Sequence, residues 1–185
     1  MTRIDQDVAT AEKTLQVAVG DSSLGPILVA SSEKGISAIL FGSDRDALLA
    51  ELRAEFPHAG FVEVEEDQSE VFAKVVRLVE QPARGLDLPL DIGGSDFQRR
   101  VWQAIETIPV GETASYAEVA RSIGSPDAVR AVAQACGANR LAVAIPCHRI
   151  GRADGSPSGY RWGVERKQAL LEREARARSG QLESS

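Results

Sequence analysis

The pattern of apolar residues changes character once along this 185-residue chain, and that change limits the folds open to it. In the first half, short apolar runs separated by turn residues alternate with helical stripes. Thr14–Val19, Pro26–Ala30 and Gly35–Phe41 have strand character, and the last runs into the turn signal Gly42-Ser43-Asp44. From Asp44 to Phe56 the apolar residues Leu48, Leu49, Leu52 and Phe56 form a helical stripe closed by Pro57, and Glu70–Leu78 repeats the pattern with Val71, Phe72, Val75 and Val76. Glu63–Asp67 reads as a solvated acidic turn. Gln81–Gly85 and Asp91–Gly94 then flank a short apolar segment, the natural place for an interdomain connection, and beyond it the chain becomes helical. The expected fold is α+β: an α/β N-terminal domain over residues 1–92, with a small sheet and helices, a helical C-terminal domain over 93–177, and a flexible tail over 178–185.

The helical half carries specific start and stop signals. Ser95-Asp96-Phe97-Gln98 is a capping box, and the helix behind it buries Phe97, Val101 and Ile105 before Pro109. Tyr116–Ile123 places Tyr116, Val119, Ala120 and Ile123 on one face, and Gly124-Ser125-Pro126 breaks it. A second helix is expected to start with Ser125 as cap and Pro126 in its first turn, with Val129, Val132, Ala133 and Cys136 facing inward. Two short helices joined by a tight turn form a helix-turn-helix, or equally a helical hairpin in an ordinary core. The outward face of the second helix would be Ala128, Ala131 and Ala135 around Arg130. Alanines read little sequence but permit close approach to a narrow groove, so this face predicts sequence-tolerant, minor-groove binding, with Arg130 able to fill the gap left by a displaced base.

Charge is compatible with that reading without deciding it. The net charge is −6, yet residues 1–92 carry 8 basic and 17 acidic side chains while residues 93–185 carry 13 and 10. No apolar run approaches the ~20 residues of a membrane span, and Met1–Asp5 lacks the apolar core of a signal peptide. Two cysteines and two histidines without ligand spacing do not build a zinc site or a disulfide framework, so the expectation is a reduced, cytoplasmic chain with no metal.

The chemistry is concentrated at Pro146-Cys147-His148-Arg149, behind the apolar run Leu141–Ile145, which reads as a buried strand. A thiolate attacks carbon and a thiol does not, so Cys147 needs a base, and His148 is beside it. Adjacent side chains diverge, which favours a bridging water over direct contact. The base in turn needs an orienting acceptor. In the C-terminal helix, Gly163 to about Ala177, Glu174 shares the buried side with Leu170 and Leu171, whereas Glu172 faces solvent. A carboxylate on an apolar face needs a partner, and His148 is the candidate. Cys136, among valines and alanines, reads as a small core hydrophobe.

Taken together these residues resemble the O6-alkylguanine-DNA alkyltransferase (methylated-DNA–protein-cysteine methyltransferase) family. Ile145–Ile150 is similar to its active-site signature. Gly111–Tyr116, Arg130-Ala131-Val132, Asn139, and Ser158-Gly159-Tyr160 through Lys167, Leu170-Leu171 and Glu174 fall at its spacing. The match spans about residues 93–176, and Ser158–Val164 most resembles the C-terminal domain of the bacterial adaptive-response member, whose zinc-binding and regulatory domains have no counterpart here, so that a stand-alone enzyme or an isolated domain is expected.

The resemblance implies a ribonuclease-H-like supporting domain and a monomeric, cofactor-free, single-turnover DNA repair enzyme. It would flip O6-alkylguanine, chiefly O6-methylguanine, out of double-stranded DNA and move the alkyl group to Cys147. His148 would take the thiol proton through water, Glu174 would orient His148, and Asn139 would brace the turn around Cys147. Tyr116 would push on the 3′ phosphate and help protonate the leaving guanine. Arg130 would fill the stack, with Ala128, Ala131 and Ser115 against DNA. Pro146, Gly155, Ser156, Pro157, Ser158, Gly159 and Tyr160 would form the guanine pocket. Gly151 and Pro157 depart from the family pattern, which usually has a β-branched apolar residue at the first position and leucine or valine at the second. A lesion-binding protein without chemistry and a Cys-His hydrolase are the competing readings, the first disfavoured by the presence of Cys147, His148 and Glu174.

Overall fold

The computed structural model of the protein describes residues 13–154 and 158–183. Contacts divide the chain into two units. One runs to Glu80 and takes up Leu86–Ile92; the other comprises Gln81–Gly85 and everything from Gly93 onward.

The first unit is built on a four-stranded sheet. Strands β1 (Lys13–Ser22), β2 (Gly25–Ser32), β3 (Gly35–Phe41) and β4 (Ala59–Glu63) take the order β3-β2-β1-β4. β1 and β2 pair antiparallel with Val17 opposite Ala30, as do β2 and β3, while β4 lies parallel to β1 with Phe61 opposite Leu15. Residue type follows position. In β1, buried Leu15 and Val17 alternate with exposed Thr14 and Gln16, the period of a strand with one covered face. In β2, Ile27, Leu28, Val29 and Ala30 are all buried, as an interior strand covered on both faces requires. Helix α1 (Arg45–Glu55) starts at Asp44, whose carboxylate accepts the Ala47 N–H, and buries Leu48, Leu49 and Leu52. Helix α2 (Glu70–Glu80) buries Phe72, Val75, Leu78 and Val79. The acidic stretch after β4 contains a single 3₁₀ turn, Glu66–Gln68, with no buried residue. Strand β4 has no counterpart in the sequence reading because Ala59 and Gly60 dilute its strand signal beside Pro57. Gln81–Ile92 is no free linker: Leu90 bridges to Ile36, and the Asp91 N–H donates to the Ile36 carbonyl.

The second unit is helical. Helix α3 (Asp96–Glu106) has both hydrogen bonds of the expected capping box at Ser95 and Gln98; it buries Val101 and Ile105 as expected, together with Trp102, whereas Phe97 in its first turn is only half-buried. A two-residue strand, β5 (Ala114–Ser115), pairs parallel with β6 (Ile150–Gly151). Helix α4 (Tyr116–Ser122) follows β5 directly and has a second capping box, Ser115 with Glu118. Helix α5 (Val129–Gly137) starts later than the Ser125 cap predicts. Residues 125–128 form a turn closed by the Ala128 N–H on the Ser125 carbonyl, and Ala128 occupies the cap position. The later start rotates the exposed face. Val129 is 38% exposed, whereas Ala135, expected outside, is buried, with its carbonyl accepting the Trp102 indole N–H at 2.9 Å. Helix α6 (Val164–Glu183) continues past Ala177. No helix among the described residues is long and apolar enough to cross a membrane.

Candidate active site

The apolar run before Cys147 is buried as expected, but it is not a strand. Residues 141–145 coil into successive turns: the Ala144 N–H donates to Ala142 O and the Ile145 N–H to Leu141 O. Val143 adopts φ 68°, a left-handed conformation in which a β-branched side chain is strained at a cost of about 1–3 kcal/mol. Cys147–Arg149 then forms one 3₁₀ turn and Ile150 resumes extended backbone. A strand would alternate its side chains between two faces. The coil delivers Cys147, His148 and Arg149 as three consecutive buried residues.

Asn139, fully buried, clamps this coil from the end of α5. Its amide Nδ2 donates to Ile145 O at 3.0 Å and lies 3.4 Å from Cys147 Sγ, while its Oδ1 accepts the Leu141 N–H at 2.8 Å. Arg161 Nη1 holds the Asn139 carbonyl at 2.5 Å. The neighbouring Cys136 thiol, with burial, pushes the Cys147 thiol well above its ordinary value, so at rest it is a thiol and not a thiolate. Cys136 is less buried than its helical stripe suggested. It lies one turn from buried Val132 but is only half-buried, at the margin of the core.

Behind Cys147 stands a charged relay. His148 and Glu174 have no exposed surface, and His148 Nε2 lies 2.7 Å from Glu174 Oε1. Arg149 reaches the same carboxylate with Nε, at 3.1 and 3.0 Å from its two oxygens, and with Nη2 at 2.8 Å, while its Nη1 donates to Ile108 O at 2.8 Å. Burial alone would raise the Glu174 carboxyl, but the hydrogen bonds and positive charge from His148 and Arg149 outweigh it and hold it at about 2. An ionised carboxylate only accepts, so His148 must donate from Nε2, and in its neutral form the other ring nitrogen carries a lone pair. That nitrogen, Nδ1, is buried and has no hydrogen-bond partner among the described residues. Burial, opposed by Glu174, lowers the His148 pKa below its ordinary value and keeps the ring neutral at neutral pH.

Helix α6 supplies both Glu174 and Lys167, seven residues apart on the face that buries Leu170. Lys167 Nζ donates to Ile150 O at 2.6 Å and to Ser158 Oγ at 2.5 Å, tying the segment after the nucleophile to the loop that returns to it. A cavity of about 350 Å³ opens here, with Ser115, His148, Ile150, Gly151, Ser158 and Lys167 in its wall. A Cβ on Gly151 would meet Ser158 Oγ only at 3.9 Å, so the fold does not demand glycine there, and the glycine leaves the wall open. The β5–β6 pair fixes the start of α4 beside the strand leaving Cys147. Tyr116 follows at once, half-buried, its phenol pKa raised by burial, an effect the nearby Ser158 hydroxyl partly offsets.

The expected site residues thus divide by position. Cys147, His148, Glu174, Asn139, Pro146 and Ser158 are buried together, and the Tyr160 hydroxyl is buried near them with its pKa raised by burial. Gly159 is exposed. Ser115 is buried and its hydroxyl is taken up in capping α4. Arg130 is exposed on α5, with Ala128 and Ala131 half-exposed. Gly155, Ser156 and Pro157 lie outside the described residues. Arg149 and Lys167 were given no role by the sequence reading. Lys167 had a signal, a cation on the inward stripe of α6; Arg149, in an aperiodic coil, had none. Among the described residues no group of three or more His, Cys, Asp or Glu side chains is placed to hold a metal ion.

Comparison with known proteins agrees with this architecture. Residues 15–92 match the 6-O-methylguanine DNA methyltransferase ribonuclease-like domain, and residues 96–176 match the DNA binding domain of the same enzyme. The bifunctional transcriptional activator/DNA repair enzyme Ada of Escherichia coli is 52% identical over 161 residues, 87% of this chain; the chain spans only 46% of that relative's length. The methylated-DNA–protein-cysteine methyltransferase of Methanosarcina barkeri is 39% identical over 83% of this chain and 93% of its own. The Mycobacterium tuberculosis OGT solved in complex with DNA superimposes with a TM-score of 0.68 at 34% identity, covering 87% of this chain and 93% of that one. On these grounds the chain belongs to the 6-O-methylguanine DNA methyltransferase family.

Proposed function

We propose that this protein repairs O6-alkylguanine in duplex DNA by transferring the alkyl group to Cys147 Sγ. The observation that carries the reading is the buried His148 ring, held through Nε2 by an ionised Glu174 with Nδ1 left unpartnered behind a protonated thiol. Nδ1 accepts the Cys147 proton through one water, and the thiolate so formed attacks the alkyl carbon in line. The C–O6 bond breaks with its electron pair passing to the purine, which takes up a proton donated by Tyr116, a phenol that burial keeps protonated. The thioether that forms has no route back to thiol, so each molecule acts once. The damaged base is its own alkyl donor, and no cofactor enters the balance. Asn139 holds the sulfur in position, and the Arg149–Glu174–His148 contacts keep the imidazole in the tautomer the step needs.

DNA is bound by the helix-turn-helix pair α4 and α5. The exposed Arg130 fills the space of the flipped base, and the small Ala128 and Ala131 permit minor-groove approach. The guanine is received between Pro146 and the segment that includes Ser158 and Tyr160. The test is stoichiometric. Duplex carrying radiolabelled O6-methylguanine transfers one label per protein molecule and then stops, and Cys147→Ser transfers none. Continued turnover, or labelling of Cys147→Ser, contradicts the reading.

A further inference from the structure

The clamp on Cys147 is itself held. Asn139 is fully buried, with Oδ1 on the Leu141 N–H and Nδ2 donating to Ile145 O, 3.4 Å from Cys147 Sγ. Its backbone carbonyl accepts Arg161 Nη1 at 2.5 Å, across 22 residues of chain. Arg161 comes from a tight turn, Tyr160 to Gly163, closed by the Gly163 N–H on the Tyr160 carbonyl at 3.0 Å. The guanidinium carbon lies 5.2 Å from the Trp162 ring centre, a cation–π contact, and the Trp162 ring meets Tyr160 edge to face at 5.4 Å. Trp162 is buried, and its carbonyl accepts Arg166 Nη1 at 3.0 Å, which fastens the turn to α6. Lys167 ties Ser158, at the other end of the same segment, to Ile150 O. Residues 158–161 are thus fastened to the chain on both sides of Cys147, to Ile150 after it and to Asn139 before it.

We propose that Arg161 is a positioning residue for alkyl transfer: its guanidinium fixes Asn139 from the pocket segment and so holds the Asn139 amide and the Cys147 sulfur in the attacking geometry. The effect on transfer rests on the function proposed above; the fixing of the sulfur does not. A charged donor on a carbonyl makes a shorter bond than a neutral one, about twice as strong, and the Arg161–Asn139 contact is of that kind. Arginine suits the position because one planar group does two things, its edge donating while its face packs on an indole. Fixing the Asn139 carbonyl fixes the peptide just beyond α5, and with it the direction in which the Asn139 side chain leaves the backbone. Nδ2 has two hydrogens. One goes to Ile145 O, and the other is left for the sulfur, where it favours the thiolate that attacks. A misplacement of about 1 Å at reacting atoms costs on the order of 10²-fold in rate, so slack admitted at Asn139 is felt at Sγ. Arg161 acts on the sulfur through Asn139.

The test uses the full chain. Arg161→Met keeps a long unbranched side chain over Trp162 and removes the donor, with Arg161→Leu in its place should it fold poorly; Arg161→Lys keeps the charge and a donor. Single-turnover transfer from duplex bearing O6-methylguanine is followed over a range of DNA concentrations. The expected result for Arg161→Met is a limiting rate about 10- to 100-fold lower, with a half-saturating concentration within about twofold of wild type. Labelling of Cys147 by iodoacetamide without DNA, read from the mass of its peptide, slows in the same variant, and Arg161→Lys recovers part of both losses. An unchanged limiting rate in folded Arg161→Met overturns the proposal, as does the absence of any recovery in Arg161→Lys. A loss confined to the half-saturating concentration, the mark of a DNA contact, also overturns it, and so does faster labelling, the mark of a plug that only shields the sulfur. Absence of transfer by wild type contradicts the proposed function instead, and the labelling rates still decide the role of Arg161.

Discussion

Glu174→Gln perturbs the centre of the relay. The wild-type carboxylate accepts one hydrogen bond from His148 and a multidentate set from Arg149, with no solvent access. The amide keeps the shape, loses the charge, and brings an N–H₂ group to face donors it cannot accept from. Removing one partner of a buried ion pair costs about 3–5 kcal/mol, because the other charge stays buried without its counter-ion. Arg149 retains the Ile108 carbonyl, which places the expected loss toward the lower end, about 3 kcal/mol. For a chain of this length that is a fall in melting temperature of roughly 6–12 °C. It appears in urea as a lower midpoint with an unchanged slope. The kinetic consequence is separate. A glutamine oxygen can still accept from Nε2, but its N–H₂ can also donate there and favour the wrong tautomer, which removes a general-base contribution of order 10²- to 10⁴-fold from single-turnover transfer. A stability loss under 1 kcal/mol, or an unchanged transfer rate in folded protein, would refute the reasoning.

Asn139→Ala removes the clamp on the coil and leaves the buried Leu141 N–H without its acceptor; a loss of about 2–4 kcal/mol in urea unfolding is expected, with slower transfer by the folded fraction. Acid should weaken the fold in two steps of the same sign. His148 has a folded pKa below its ordinary value, so its contribution falls away as pH drops below about 6.5. Glu174 has a folded pKa of about 2 against 4.5, so its contribution, about 3 kcal/mol, is complete above pH 4.5 and lost as pH falls toward 2. Urea midpoints across this range should show both steps in wild type and only the upper one in Glu174→Gln. The transfer rate should be level near neutrality and fall as His148 protonates below its ordinary value, read from single-turnover pH profiles. Arg130→Ala should slow transfer from duplex much more than from free alkylated base, because only duplex leaves a gap to fill; equal slowing on both counts against the intercalating role.

What the sequence made legible was whatever periodicity encodes. The stripe of α3, its capping box, and the pairing of Glu174 with Leu170 on α6 all follow from 3.6-residue spacing. The alternation in β1 and the continuous run in β2 follow from the number of faces each strand has covered. Where the backbone leaves a regular period, pattern reading failed. Leu141–Ile145 is apolar because it is buried, and a short apolar run alone cannot separate a strand from a coil held by Asn139. The same coil hid Arg149, whose reach to Glu174 depends on a 3₁₀ turn. Ser125-Pro126 carried a helix-start signal that tertiary packing used as a turn, which moved α5 by three residues and turned Ala135 inward.

The central claim is that Cys147 Sγ is the atom that keeps the alkyl group. Duplex bearing O6-methylguanine is incubated with reduced protein, the protein is digested, and the peptides containing Cys136 and Cys147 are weighed and fragmented. A single added methyl on Cys147, with Cys136 unmodified and guanine restored in the DNA, is the predicted result. An unmodified Cys147, or the methyl on Cys136, would contradict the account.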